Sequence, residues 1–156
     1  MKEKVLDALK EMGFKVQEED GGGYSFSYED LTLLYLPNET DEQFLNLVLP
    51  GIIGKTEGKL LQLFTLMDKV NSTLKYVKAN FLGDGVGLSY ERELIGEEDL
   101  IAVLTHMILH LSSAYAYACK SMIEIDEVIT NAFSAKDDDN AEEIVAEEVV
   151  ENDDND

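Results

Sequence analysis

The sequence predicts an α+β fold: an antiparallel β-sheet with helices packed on one face, in the order α-β-β-β-β-α-β-β-α. Three observations predict it. Short runs of alternating apolar and polar residues come in pairs joined by turn residues, the pattern of antiparallel hairpins. Helical stretches interrupt these runs only at the start, the middle and the end, which gives helices layered on a sheet. One long helix closes the domain. From Asp99 its apolar residues are Leu100, Leu104, Met107, Leu111, Ala114, Ala118, Met122, Ile125 and Ile129, mostly three and four apart, a continuous stripe.

The elements follow in order. Residues 2–12 form a short amphipathic helix with Val5, Leu6, Leu9 and Met12 on one side, stopped by Gly13, with Phe14 folding back onto the last turn. Residues 14–18 alternate as a short strand until Gly21-Gly22-Gly23. Tyr24, Phe26 and Tyr28 alternate with Ser25 and Ser27, Glu29-Asp30 makes a tight turn, and Leu31 to Leu36 returns until Pro37. After the loop Asn38–Asp41, residues 43–49 read as a more apolar strand, interior to the sheet and ended by Pro50-Gly51. A second helix spans about Glu57 to Thr73, with Leu60, Leu63, Phe64, Met67, Val70 and Leu74 on its buried side. A hairpin from Tyr76 to Glu91 turns at Gly83-Asp84-Gly85 and feeds the long helix, which runs to about Ser134. Beside its main stripe lies a second one of Ile101, Ile108, Tyr115, Cys119 and Ile123, so more than one face is apolar.

The net charge of −21 divides in two. From Asp137 to Asp156 there are eleven acidic residues and no basic ones; the rest carries 33 − 11 = 22 acids against 12 bases, a net of −10. A stretch so charged buries too little surface to offset its ordering entropy, so 1–134 is read as the domain and 135–156 as an acidic, disordered tail. The tail reads as solubilising; the alternative, carried by Ile144, Val145, Val149 and Val150 among the acids, is a short segment that folds onto a partner or onto its own domain. No basic cluster is present to neutralise phosphates, which argues against nucleic acid and anionic membranes as partners. A single cysteine excludes an internal disulfide. The N-terminus has charges throughout, unlike a signal peptide, and no apolar run reads as long enough to span a bilayer. The expected compartment is the cytoplasm.

No catalytic or cofactor motif is complete. Gly51-Ile52-Ile53-Gly54-Lys55-Thr56 follows a strand and precedes a helix, as a phosphate-binding loop does. That loop needs four residues between its glycines so that enough N–H groups wrap the phosphates; the earlier glycine would fall at position 49, which is Leu. Gly83-Asp84-Gly85-Val86-Gly87 leads into a strand, so no helix N-terminus would face a pyrophosphate. His106 and His110 share a helix face and can reach one metal ion, but no third ligand accompanies them, and Cys119 points the opposite way. They read instead as buried or interface histidines that tune association with pH. Asp137-Asp138-Asp139-Asn140 lacks the glycine and terminal glutamate of a calcium loop. Cys119 lies in an apolar stripe, where a thiol is inert packing.

The element order, the length, the phrase Phe44-Leu45-Asn46-Leu47-Val48-Leu49-Pro50 before the middle helix, and Asn71 at that helix's end resemble the YbjN-like family. That family is described as candidate bacterial sensory-transduction regulators, similar in fold to type III secretion chaperones. The resemblance covers about residues 1–134 and is one of pattern, without an invariant catalytic signature. It implies a protein that acts by binding other proteins and forms dimers. The expectation is thus a non-enzymatic, chaperone-like or regulatory module that binds an apolar segment of a protein partner, by groove or strand addition. Tyr24, Phe26, Tyr28, Met107 and Tyr115 are the candidate contacts, since aromatics anchor interfaces. The doubled stripe suggests a homodimer. No cofactor or metal is expected. The alternatives are a nucleotide binder using Gly51–Thr56 and a structural subunit of a larger assembly.

Overall fold

The computed structural model describes residues 1–56 and 59–150, with side chains to Ser134. The element order is the expected one: α1 (Lys2–Glu11), β1 (Gln17–Glu18), β2 (Tyr24–Tyr28), β3 (Leu31–Tyr35), β4 (Phe44–Gly54), α2 (Leu60–Thr73), β5 (Val77–Leu82), β6 (Gly85–Glu93) and α3 (Leu100–Val150). The strands form one antiparallel sheet in the order β1-β2-β3-β4-β6-β5. The β5–β6 hairpin arrives after α2 and docks through its second strand, so β6 pairs with β4 along most of its length.

The core lies between the sheet and the helices. Phe26, Leu33, Tyr35, Leu45, Leu47, Leu88 and Tyr90 meet Leu9, Leu63, Leu66, Leu104, Met107 and Leu111. The main stripe of α3 is the buried one: Leu104, Met107, Leu111, Ala114, Ala118 and Ile125 are all inside. The second stripe rises out of the fold along the helix, from buried Ile108 to Ile123, which is 63% exposed. Asp99 caps α3, its Oδ1 accepting from the amides of Ile101 (3.1 Å) and Ala102 (3.2 Å).

Several boundaries differ from the sequence reading, each for a local reason. α1 ends in a Schellman turn. The Phe14 amide donates to Leu9 O (3.0 Å) and the Gly13 amide to Lys10 O (2.9 Å), with Gly13 at φ +90. Its amide spent on the cap, Phe14 packs its ring on Phe26 with centroids 5.1 Å apart, and β1 shrinks to two residues. β4 does not end at Pro50. Leu49 pairs Leu88 and Ile53 pairs Val86, so Pro50, Gly51 and Ile52 bulge out opposite Gly87. Gly51 at φ +63 allows the bulge, and Pro50, with no N–H to give, fits where the ladder is interrupted.

α2 begins at Leu60, and residue 57, the expected start, lies outside the described residues. Its buried side is Gln62, Leu63, Leu66, Met67 and Val70, whereas Leu60 and Phe64 face outward. α3 continues to Val150, into the segment read as a disordered tail; residues 151–156 are outside the described ones. Over Leu100–Ser134 it is long and apolar enough to cross a membrane, by length and composition. That corrects the reading that no run is. In this fold one face of that stretch is committed to the sheet, as in the core helix of a globular domain.

Asn71, one of the residues that carried the resemblance, ties α2 to the sheet. Its Nδ2 donates to Ala79 O (3.0 Å) and its Oδ1 accepts from Ala79 N (2.7 Å). Ala79 lies on β5, an edge strand, so the side-chain amide takes backbone groups that would otherwise pair with an added strand. Asn71→Ala is expected to lower stability by about 1–3 kcal/mol, since both Ala79 groups lose their partner at once. Urea melts would check this; an unchanged midpoint would mean water replaces the amide at no cost.

Candidate functional site

α2 and α3 lie side by side and antiparallel. The Lys59 Nζ donates to Asp126 Oδ2 (2.9 Å) at one end, and further along α2 the Lys69 Nζ donates to Glu124 Oε2 (3.0 Å) and lies over the Tyr117 ring. Between the start of α2, the seventh and eighth turns of α3 and the end of β4 is an open groove of about 470 Å³. Ile53, Leu63, Met122 and Ile123 make its apolar walls, and Lys59 and Asp126 stand on its polar rim. Elsewhere on α2 and α3 large apolar side chains are exposed. Leu61 is 54% and Phe64 57% exposed, with Leu60, Val128 and Phe133 also outside the core. Phe64 meets Phe81 of β5 edge to face at 5.5 Å.

Gly54 of the loop-like motif lines this groove, but as strand, while Gly51 lies in the bulge. Ile53 and Gly54 pair with Val86 and Gly85, and the Lys55 amide donates to Asp84 O (2.8 Å). Backbone here serves the ladder rather than forming a phosphate cradle, and the Lys55 ammonium lies 5.6 Å over the Phe81 ring. This geometry disfavours the nucleotide alternative.

The residues expected to contact a partner are not brought together on a surface. Phe26 is 2% and Met107 0% exposed, and Tyr24 is buried with its hydroxyl donating to Glu18 Oε1 (3.2 Å). Their place is the core, because α1 and α3 cover the face they occupy. Tyr28 and Tyr115 are half-buried. Cys119 beside Tyr115 pushes the phenol's pKa up. Leu60 and Phe64, expected on the buried side of α2, face outward together with Leu61. The available signal was an α2 apolar on two sides, more than one core-facing stripe requires.

A second cluster joins three elements. Tyr76, just before β5, stacks on Tyr90 of β6 (5.6 Å, 10° between planes), and both meet the rings of His106 and His110 on α3. Tyr76 sits at φ +69 where Val77 N donates to Lys75 O (2.8 Å), a tight γ-turn that a bulky residue rarely adopts. Tyr90, 3% exposed, places its Oη 3.3 Å from His106 Nδ1. Burial, then the neighbouring His106, pushes the pKa of His110 down. Among the described residues no three His, Cys, Asp or Glu side chains converge on one metal position.

The fold and these surfaces define a class: an α+β domain with a single antiparallel sheet, helices on one face, and an apolar groove on the helical side. It is the fold of YbjN from E. coli, a candidate transcription regulator. The crystal structure of that protein matches this chain with a TM-score of 0.59 at 10% identity, over 76% of this chain and 90% of that one. No family model matches the sequence, and no curated protein does either.

Proposed function

We propose that this chain is a cytoplasmic, non-enzymatic protein-binding module, chaperone-like or regulatory, that seats an apolar segment of a protein partner in the groove between α2, α3 and the end of β4. The observation that carries this reading is the groove itself: apolar walls, an ion-paired rim, and Ile123 of the wall more than half exposed. Such residues anchor a peptide by burial. The acidity of the chain makes a protein the partner rather than a nucleic acid. The tail beyond 134 is outside the folded domain in this reading.

The test compares pull-downs from host lysate by wild type, Thr56→Glu and Ile123→Glu, both in the groove lining. Both positions are exposed, so melting temperatures stay within a few degrees of wild type. A stoichiometric partner lost at least ten-fold by both variants supports the groove. Full retention by both variants overturns it. Light scattering on the same proteins identifies the second reading, favoured by exposed Leu109, Val128 and Phe133 on α3: a wild-type dimer that both variants dissociate makes a second copy the occupant.

A further inference from the structure

The ring cluster at the start of α3 lies outside the groove and calls for its own account. His106 and His110 bring their Nε2 atoms to 2.8 Å, with ring centroids 4.1 Å apart. Without a cation, one of these nitrogens must carry a hydrogen that the other accepts. The distance also suits a shared metal ion. Two nitrogens 2.8 Å apart, each at a metal–nitrogen distance of about 2.0–2.1 Å, subtend about 84–89° at the ion. That is the cis angle of square-planar or octahedral coordination, the geometry of Cu2+ and Ni2+, rather than the wider tetrahedral angle.

The surroundings hold the pair in place. Tyr90 Oη lies 3.3 Å from His106 Nδ1, and a ligating histidine is typically held through its other ring nitrogen in this way. With Nδ1–H donated to Tyr90, Nε2 of His106 is left with its lone pair for a metal. The Tyr76 ring, fixed by its γ-turn and its stack on Tyr90, closes edge to face on both imidazoles at 5.7 and 5.3 Å. His106 itself is exposed, so water reaches the remaining coordination positions. We propose that His106 and His110 form a two-imidazole chelate for a late first-row divalent cation of square-planar or octahedral preference, Cu2+ or Ni2+, with water completing the shell. The proposal is independent of the groove.

The test titrates Cu2+ into the full-length chain and reads affinity by competition with glycine and ligand identity by pulsed EPR. One bound equivalent with two imidazole nitrogens is expected, weakened at least ten-fold in His106→Ala and in His110→Ala. Tyr90→Phe keeps the ring and removes the Nδ1 partner, so a smaller loss of several-fold to ten-fold is expected. Circular dichroism verifies the fold of each variant, and His106→Gln replaces His106→Ala should the latter unfold. Carboxylates of the acidic segment give oxygen coordination that survives both histidine substitutions. Binding that is unchanged in the variants, or an EPR signal with one imidazole or none, overturns the proposal.

Discussion

Phe26→Ala is expected to lower the stability of this chain by about 3–5 kcal/mol, as for a large aromatic deleted from a packed core. Phe26 is 2% exposed on β2, its ring against Phe14 at the end of α1. Truncation therefore removes buried apolar area and opens a cavity that the sheet on one side and α1 on the other cannot collapse to fill. Thermal melts should fall by about 10 °C or more, since each kcal/mol shifts a domain of this size by a few degrees. The result separates two roles. An interface side chain can be removed with little change in the melting of the free protein, and such an outcome would return Phe26 to the surface.

Gly85→Ala is expected to cost about 1–3 kcal/mol, and Gly54→Ala close to nothing, although the two glycines are ladder partners. A methyl built at Gly85 comes within 2.6 Å of Ile53 O and 3.4 Å of Gly54 Cα, both backbone, so β4 and β6 must part to admit it. A methyl at Gly54 meets nothing within 4 Å, and the residue does not use positive φ. Urea melts of the two variants decide the matter. Equal midpoints would show that β4 shifts freely after its bulge, and that the wall of the groove at Ile53 is soft.

Much of the fold is legible in the chain because hairpins are local. The alternation of Tyr24, Phe26 and Tyr28, the Glu29-Asp30 turn and the return through Leu31 specify β2–β3 without reference to anything distant, and the same holds for β5–β6. The Schellman turn at Gly13 is likewise written in three consecutive residues. The extension of β4 past Pro50 was not legible. Proline and glycine are the usual stop, and only pairing with Val86 and Gly85, more than thirty residues on, carries the strand through the bulge.

The candidate site was less legible than the fold. Periodicity states which residues share a face and is silent about what covers it. Tyr24 and Phe26 share a face with Leu33 and Tyr35 across the β2–β3 ladder, and so does any residue read as an aromatic contact there; α1 and α3 turn that face into core. On α2 the ambiguity ran the other way. Leu60, Phe64, Leu63, Met67 and Val70 fit a single broad stripe, yet the helix rotates to bury Gln62 and Leu66 and leave Leu60 and Phe64 outside.

The sequence by itself determined the order of elements, the local hairpins, the Gly13 cap and the stripe of α3 that enters the core, because each depends on neighbours within a few turns or a few strand residues. Only the tertiary structure decided that β6 lies beside β4, that α2 turns an apolar edge outward, and that Tyr76 and Tyr90 come to rest against His106 and His110. Those outcomes depend on which surfaces compete for the same partner, and burial is shared among all of them at once.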